Sequence, residues 1–170
     1  MPKYIAIAAI TLDGKIAKNT HHMSDWTSKE DKIFMRAFLD KCDVVIVGNN
    51  TYKTAIKPLS KRNCIVFSKS ANKLISKSAG LLYVNPNKTS VKKLIGKLGY
   101  QKVAILGGAQ TYTYCLENKM LGELYLTVEP IVFGKGIDLF ASKSFLDHKF
   151  KLISIKKLNK QGSLLLRYKK

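Results

Sequence analysis

A chain of 170 residues, 46% hydrophobic and 24% charged, has the length and composition of one globular domain with a substantial core. No apolar run approaches a membrane span, the Met-Pro-Lys start lacks the anatomy of a secretory signal, and three scattered cysteines (Cys42, Cys64, Cys115) offer neither metal-ligand spacing nor an even disulfide set. A cytoplasmic protein with no metal site and no membrane partner is therefore expected. The net charge of +19 favours anions, but the lysines are spread along the sequence without an arginine-rich or aromatic-interleaved block. A solvated basic surface is the expectation, and a nucleic-acid-binding module is the reading of a different class.

Residues Lys3 to Leu12 are almost all apolar, as in a strand buried on both faces, and Asp13-Gly14 is a turn signal before a brief resumption at Lys15 to Ala17. Asn19 to Asp25 reads as a polar loop in which His21 and His22 face solvent. Thr27 or Ser28 can cap a helix, with Glu30 or Asp31 completing a capping box, and Phe34, Met35, Phe38 and Leu39 recur at helical spacing. Val44 to Val47 is a strand and Thr51 to Ile56 a short helix closed by Lys57-Pro58-Leu59. Asn63 to Ser68 is a strand, Lys69 to Ser78 a polar stretch with at most a turn of helix, and Leu81 to Val84 a strand. A helix around Ser90 to Leu98, a strand at Lys102 to Leu106 and a helix from Gly107-Gly108 to about Leu116 follow. Gly122 to Val128 is a strand, Phe133 to Gly136 a flexible loop, and residues 150–157 and 164–169 flank a turn as a closing hairpin. This rhythm predicts a single α/β domain over residues 1–170, with a mainly parallel central sheet, helices on both faces and a C-terminal antiparallel hairpin.

In such sheets ligands bind beyond the carboxyl ends of the strands, a rule that gathers the turns after the first strand, after Val47 and after Leu106 at one rim. Gly107-Gly108 permits close backbone approach and opens a helix whose free N–H groups can hold a pyrophosphate, although the G-x-G-x-x-G fingerprint is absent and a plain tight turn is the alternative. Gly48-Asn49-Asn50-Thr51 is a second helix start, with Thr51 a phosphate donor or a simple cap. Ser68-Lys69-Ser70 can hold the phosphate that separates NADP from NAD, or be a solvated turn. Asp31 either serves its helix alone or, walled by Trp26 and Met35, accepts a cationic or amidine-like heterocycle.

Together, in order and spacing, these segments resemble dihydrofolate reductase. Ile5 to Ala17 is similar to that family's first strand and active-site loop, Trp26 and Asp31 to its tryptophan and pterin-binding carboxylate, and Val47 to Tyr52 to its cofactor turn. Lys57 to Asn63 is similar to the segment whose arginine receives the folate tail. Leu106 to Tyr112 resembles the Gly-Gly turn, and Leu124 to Thr127 the threonine-bearing strand. The resemblance implies NADPH-dependent reduction of 7,8-dihydrofolate to tetrahydrofolate. Asp31 would hold the pterin, oriented by Thr127, and Trp26 would complete the catalytic set. Ile7, Ala8 and Leu106 would meet ring edges, Met35 and Leu59 would pack on the rings, and Arg62 would pair with the tail. The cofactor would lie along Ala9, Ile16, Gly48, Asn49, Asn50, Thr51, Ser68, Lys69, Leu106, Gly107, Gly108, Ala109, Gln110, Thr111 and Tyr112. Tyr112 would support both rings, and Lys69 would compensate for Asn49, where the family carries a basic residue. The protein would act as a monomer or homodimer. The rival is the riboflavin-pathway pyrimidine reductase, which shares fold and cofactor and which Thr11 to Ala17 and Gly134 to Phe140 resemble more closely; Lys57-Pro58-Leu59 and Arg62 favour dihydrofolate.

Overall fold

Alternation between buried strands and one-sided helices dominates the fold. The computed structural model describes residues 1–72, 74–145 and 147–170. The elements in order are β1 (Lys3–Ile10), β2 (Lys15–Ala17), α1 (Lys29–Leu39), β3 (Val44–Gly48), α2 (Asn49–Thr54), α3 (Ile56–Leu59), β4 (Cys64–Phe67), β5 (Leu74–Ser78), β6 (Leu81–Val84), α4 (Val91–Lys97), β7 (Lys102–Ile105), α5 (Ala109–Glu117), β8 (Glu123–Val128), β9 (Ile137–Asp138), β10 (Lys151–Lys157) and β11 (Leu164–Lys169). A short 3-10 turn at Ser24–Trp26 leads into α1.

Nine strands form one sheet in the order β10-β11-β8-β1-β7-β3-β4-β6-β5. Its centre is parallel, and both edges are antiparallel, through β11 against β8 and β5 against β6. The central strands are buried on both faces, which explains their unbroken Val, Ile and Ala runs. Val91 and Ile95 of α4 with Cys115 and Leu116 of α5 build the core on one face. Leu39 of α1, Tyr52 of α2 and Leu59 of α3 build it on the other. The single α/β domain with a mainly parallel sheet is thus present, and the carboxyl ends of β1, β3 and β7 lie side by side.

Four local expectations are corrected. The polar stretch 69–78 contains β5, an edge strand joined to β6 by the two-residue turn Ala79-Gly80, with Gly80 at φ +78. Its lysine and serines suit a solvated edge, so hydrophobic alternation is faint there. The single helix expected after Val47 is two, and Pro58 sits inside α3 rather than ending a helix. A proline is tolerated there because first-turn N–H groups have no acceptor within the helix. The loop after Phe133 leads into β9, which pairs with β2 beside a Lys15–Asp138 ion pair. The first strand stops at Ile10, because Thr11 turns to bond Asp13 and receive the Lys15 amide.

Candidate active site

A cleft of about 1340 Å³ opens along the carboxyl rim of the sheet. That exceeds the usual volume of a single small-molecule pocket, about 300–1000 Å³, and suits two ligands lying together.

One half is built from backbone. Gly107 and Gly108 join β7 to α5 through a cis peptide, and the Gly107 carbonyl accepts the Gly48 N–H at 2.6 Å, tying the two turns together. A Cβ on Gly107, at φ +93, would lie 2.7 Å from the Tyr112 ring; one on Gly48 would lie 3.0 Å from Thr111 Oγ1. Glycine at both positions therefore lets these turns pack tightly. Gly108 caps α5 without a side-chain bond, and the first turn of α5 holds no acidic residue. The leading N–H groups of a nine-residue helix are thus free of a competing carboxylate. Farther along, Ser68 Oγ lies 2.9 Å from Ser70 Oγ, and Asn85 donates to the carbonyls of Lys69 and Ala71 at 3.1 Å, fixing the loop that presents exposed Lys69. These residues fit a phosphate-bearing dinucleotide such as NADPH: backbone donors for the pyrophosphate and a cation with two hydroxyls for a further phosphate. When bound, that cofactor supplies a hydride.

The other half carries a carboxylate. Ser28 caps α1, its hydroxyl accepting the Asp31 N–H at 3.2 Å, a bond worth about 1 kcal/mol. Asp31 is only 6% exposed. Burial pushes its carboxyl above the ordinary carboxylate value, Thr127 and Thr27 oppose that shift, and the charge of Glu129 reinforces it. Among the described residues Thr127 Oγ1 has no hydrogen-bond partner although it is buried: it lies near enough to favour the charged acid but outside bonding geometry. Met35, Leu39 and Leu59 form an apolar wall. Tyr112 donates its hydroxyl to the Ile7 carbonyl at 2.5 Å, so one lone pair of that carbonyl is already engaged. Trp26 meets Phe133 edge-on at 5.1 Å, and His22 meets the same ring at 5.6 Å. Asp13 pins that loop by accepting the amides of Phe133 at 3.2 Å and Gly134 at 2.8 Å.

Of the site residues singled out in the sequence, all but Arg62, Gly107 and Thr127 line the cleft. Gly107 shapes the turn from behind, and Thr127 sits beneath Asp31. Arg62 lies outside the cleft lining: its guanidinium pairs with Asp40 and the Pro58 carbonyl. The resemblance implies that this guanidinium receives a folate tail; in the structure it is instead engaged at the surface by Asp40. His22, expected in solvent, lines the cleft, as do Lys32, Lys53 and Lys57. A lysine in so basic a sequence has no local pattern to mark it, so only the fold could single these out.

The rim, the two glycine turns and the buried acid define an α/β domain with one long cleft that joins the amide end of a helix to a buried carboxylate. The chain matches the RibD C-terminal domain family over residues 2–163 and belongs to it, within the dihydrofolate reductase-like superfamily. It is 27% identical to the uncharacterized protein YwjB of Bacillus subtilis over 146 residues, 81% of this chain and 82% of that one. Among solved structures it is similar to a pyrimidine reductase-like protein of Corynebacterium diphtheriae (TM-score 0.77, 14% identity, 99% of this chain and 91% of that one). It is also similar to the diaminohydroxyphosphoribosylaminopyrimidine deaminase/5-amino-6-(5-phosphoribosylamino)uracil reductase of Thermotoga maritima (TM-score 0.75, 17% identity), covering 99% of this chain but 56% of that longer one. At these identities the two structures share the fold. No helix among the described residues is long and apolar enough to cross a membrane.

Proposed function

We propose that the protein is a cytoplasmic NADPH-dependent reductase acting on an aminopyrimidine with a phosphorylated ribosylamino substituent, the substrate class named for the Thermotoga protein. The observation that carries this reading is one continuous cleft in a member of the RibD C-terminal domain family, with phosphate-ready glycine turns at one end and a buried acid at the other. Asp31 and Thr127 would receive the N–H-rich edge of the pyrimidine, and Lys32, Lys53 and Lys57 would supply cations for its phosphate. The residues act mainly by orientation and exclusion of water, holding two flat groups at contact distance. The glycosidic carbon accepts hydride only in the ring-opened imine form of the sugar. Ring opening moves the substituent N–H proton to the ring oxygen, which becomes a hydroxyl. Hydride then adds to the imine carbon, the C=N π pair returns to nitrogen, and nitrogen takes a proton. Each turnover thus consumes one hydride and one proton.

Dihydrofolate is the second reading, favoured by the Trp26 and Asp31 spacing and by the acid at the ring site. The engagement of Arg62 with Asp40 supports the pyrimidine over it, because a folate tail would then lack its fork. The test is NADPH consumption followed by absorbance, with the ribosylamino pyrimidine phosphate and dihydrofolate in parallel. Oxidation that depends on the pyrimidine is expected. Oxidation with dihydrofolate alone would establish the second reading, and none with either would remove both.

A further inference from the structure

Asp31 occupies the third position of α1 after the Ser28 cap. In a complete capping box the acid at that position reaches back to the backbone N–H of the cap residue. Here that N–H is taken: Ser28 N donates to Glu129 Oε1 at 2.7 Å. Glu129 follows β8 directly and shares its sheet face with Thr127 two residues earlier, so its side chain points toward α1. Its backbone is fixed at both ends, with its N–H on the Ile10 carbonyl at 2.9 Å and its carbonyl accepting the Ile131 N–H at 2.8 Å. Its Oε2 accepts the Ser163 hydroxyl, one residue beyond the Leu164–Val128 pair of the β11–β8 ladder. Asn159 donates to Ser163 Oγ at 2.9 Å and to Glu30 Oε2 at 3.2 Å, closing the network between the β10–β11 turn and α1. Glu129 is 4% exposed and Ser163 1%, so the Glu129–Ser163 pair is sealed from water, while Asn159 and Glu30 at the outer end of the network are half-buried.

We propose that Glu129 is a positioning residue: by occupying the cap N–H of α1 it keeps the Asp31 carboxylate out of the capping box and free to face the cleft. A helix end offers its cap N–H to whichever acceptor is nearest. Without Glu129, the acceptor on hand is Asp31 itself, which would turn back onto Ser28 and leave the ring site. The C-terminal hairpin turn is then part of the site machinery although it touches no ligand. The groups facing Asp31 are Glu129 after β8, Tyr112 of α5 and Lys32 of α1, with the Thr127 and Thr27 hydroxyls.

The first measurement uses the unaltered, ligand-free protein: NMR coupling across the hydrogen bond from Ser28 N. Coupling to the Glu129 carboxyl carbon is expected, and coupling to that of Asp31 would overturn the proposal. The second compares E129A with E129Q, whose amide oxygen can still accept the Ser28 N–H. In E129A the Asp31 carboxyl should titrate about one pH unit or more lower, because a backbone N–H now favours its charged form. In E129Q it should fall by less, since only a like charge is lost. Equal titration in the two variants, or an E129A midpoint unchanged from the wild type, would refute the idea. The turnover arm alone rests on the proposed reductase activity: pyrimidine turnover should fall about tenfold or more in E129A and recover most of the way in E129Q, with NADPH affinity unchanged in both. Failure of turnover in all forms would count against that activity, while the two NMR measurements still decide the role of Glu129.

Discussion

Asp31 holds opposite duties toward stability and toward ligand. Burial raises its pKa above the unfolded value, so between those two values the native state binds the extra proton. Stability from this group is complete below the ordinary carboxylate pKa of about 3.9 and is lost as pH rises through the native value. Asp31→Asn removes the charge that burial penalises. The variant should melt higher than wild type at pH 7, and the gap should close as pH falls below about 4. Its turnover should drop on the order of 100-fold. Thermal melts across pH together with steady-state assays check both parts: equal melting at pH 7 would mean that the acid is solvated, and unchanged turnover would remove it from the chemistry. Asp13 illustrates the contrary case. The Thr11 hydroxyl and the amides of Phe133 and Gly134 hold its carboxyl below the usual value, so its anchoring of the loop beside Trp26 persists at neutral pH and fails only in acid.

At the scale of elements, the two glycines of the β7–α5 turn have separable tasks. Gly107 lies at φ +93 with its missing Cβ against a Tyr112 ring that is itself tied to Ile7. Gly108 faces Thr51 Oγ1 at 3.4 Å, ordinary contact distance. Gly107→Ala should cost about 2 kcal/mol or more of stability, through backbone strain and overpacking together. Gly108→Ala should leave the melting temperature nearly unchanged and weaken NADPH binding about tenfold, by placing a methyl where the cofactor needs close approach. Melting curves and cofactor titration of the two variants check the split, and equal loss of stability in both would refute it. The turn pair also shows why sequence reading stops where it does. Gly-Gly after an apolar run announces a special turn, but which glycine guards the core and which the ligand depends on Tyr112, a side chain one helical turn away.

Across the whole molecule, 30 basic residues face 11 acidic ones. Such an excess works against the compact state by self-repulsion. Raising ionic strength from about 10 mM to about 150 mM shortens the screening length from about 30 Å to about 8 Å. The melting temperature should therefore rise with salt, and a flat or falling trend would mean that the charges are locally compensated. The exposed edge strand β10 carries Lys151, Lys156 and Lys157 beside Leu152, Ile153 and Ile155, so the same charges hinder edge-to-edge association. The cysteines are passive in this balance: burial pushes Cys64 up to about 11 and Cys115 up to about 12, leaving both thiols protonated and unreactive at neutral pH.

The order of strands and helices, the parallel centre, the glycine turns and the cap of α1 were legible in the sequence, because each rests on local rules: apolar runs for doubly buried strands, helical spacing for one-sided helices, Ser28 three residues before Asp31. What tertiary structure alone decided is which groups compete for the same partner. Arg62 reads as a free cation until Asp40, 22 residues away, takes its guanidinium. Ser28 and Asp31 read as a complete capping box until Glu129, 101 residues on, claims the cap N–H. A hydrogen-bonding group goes to the acceptor that folding brings nearest, and sequence separation does not encode that distance.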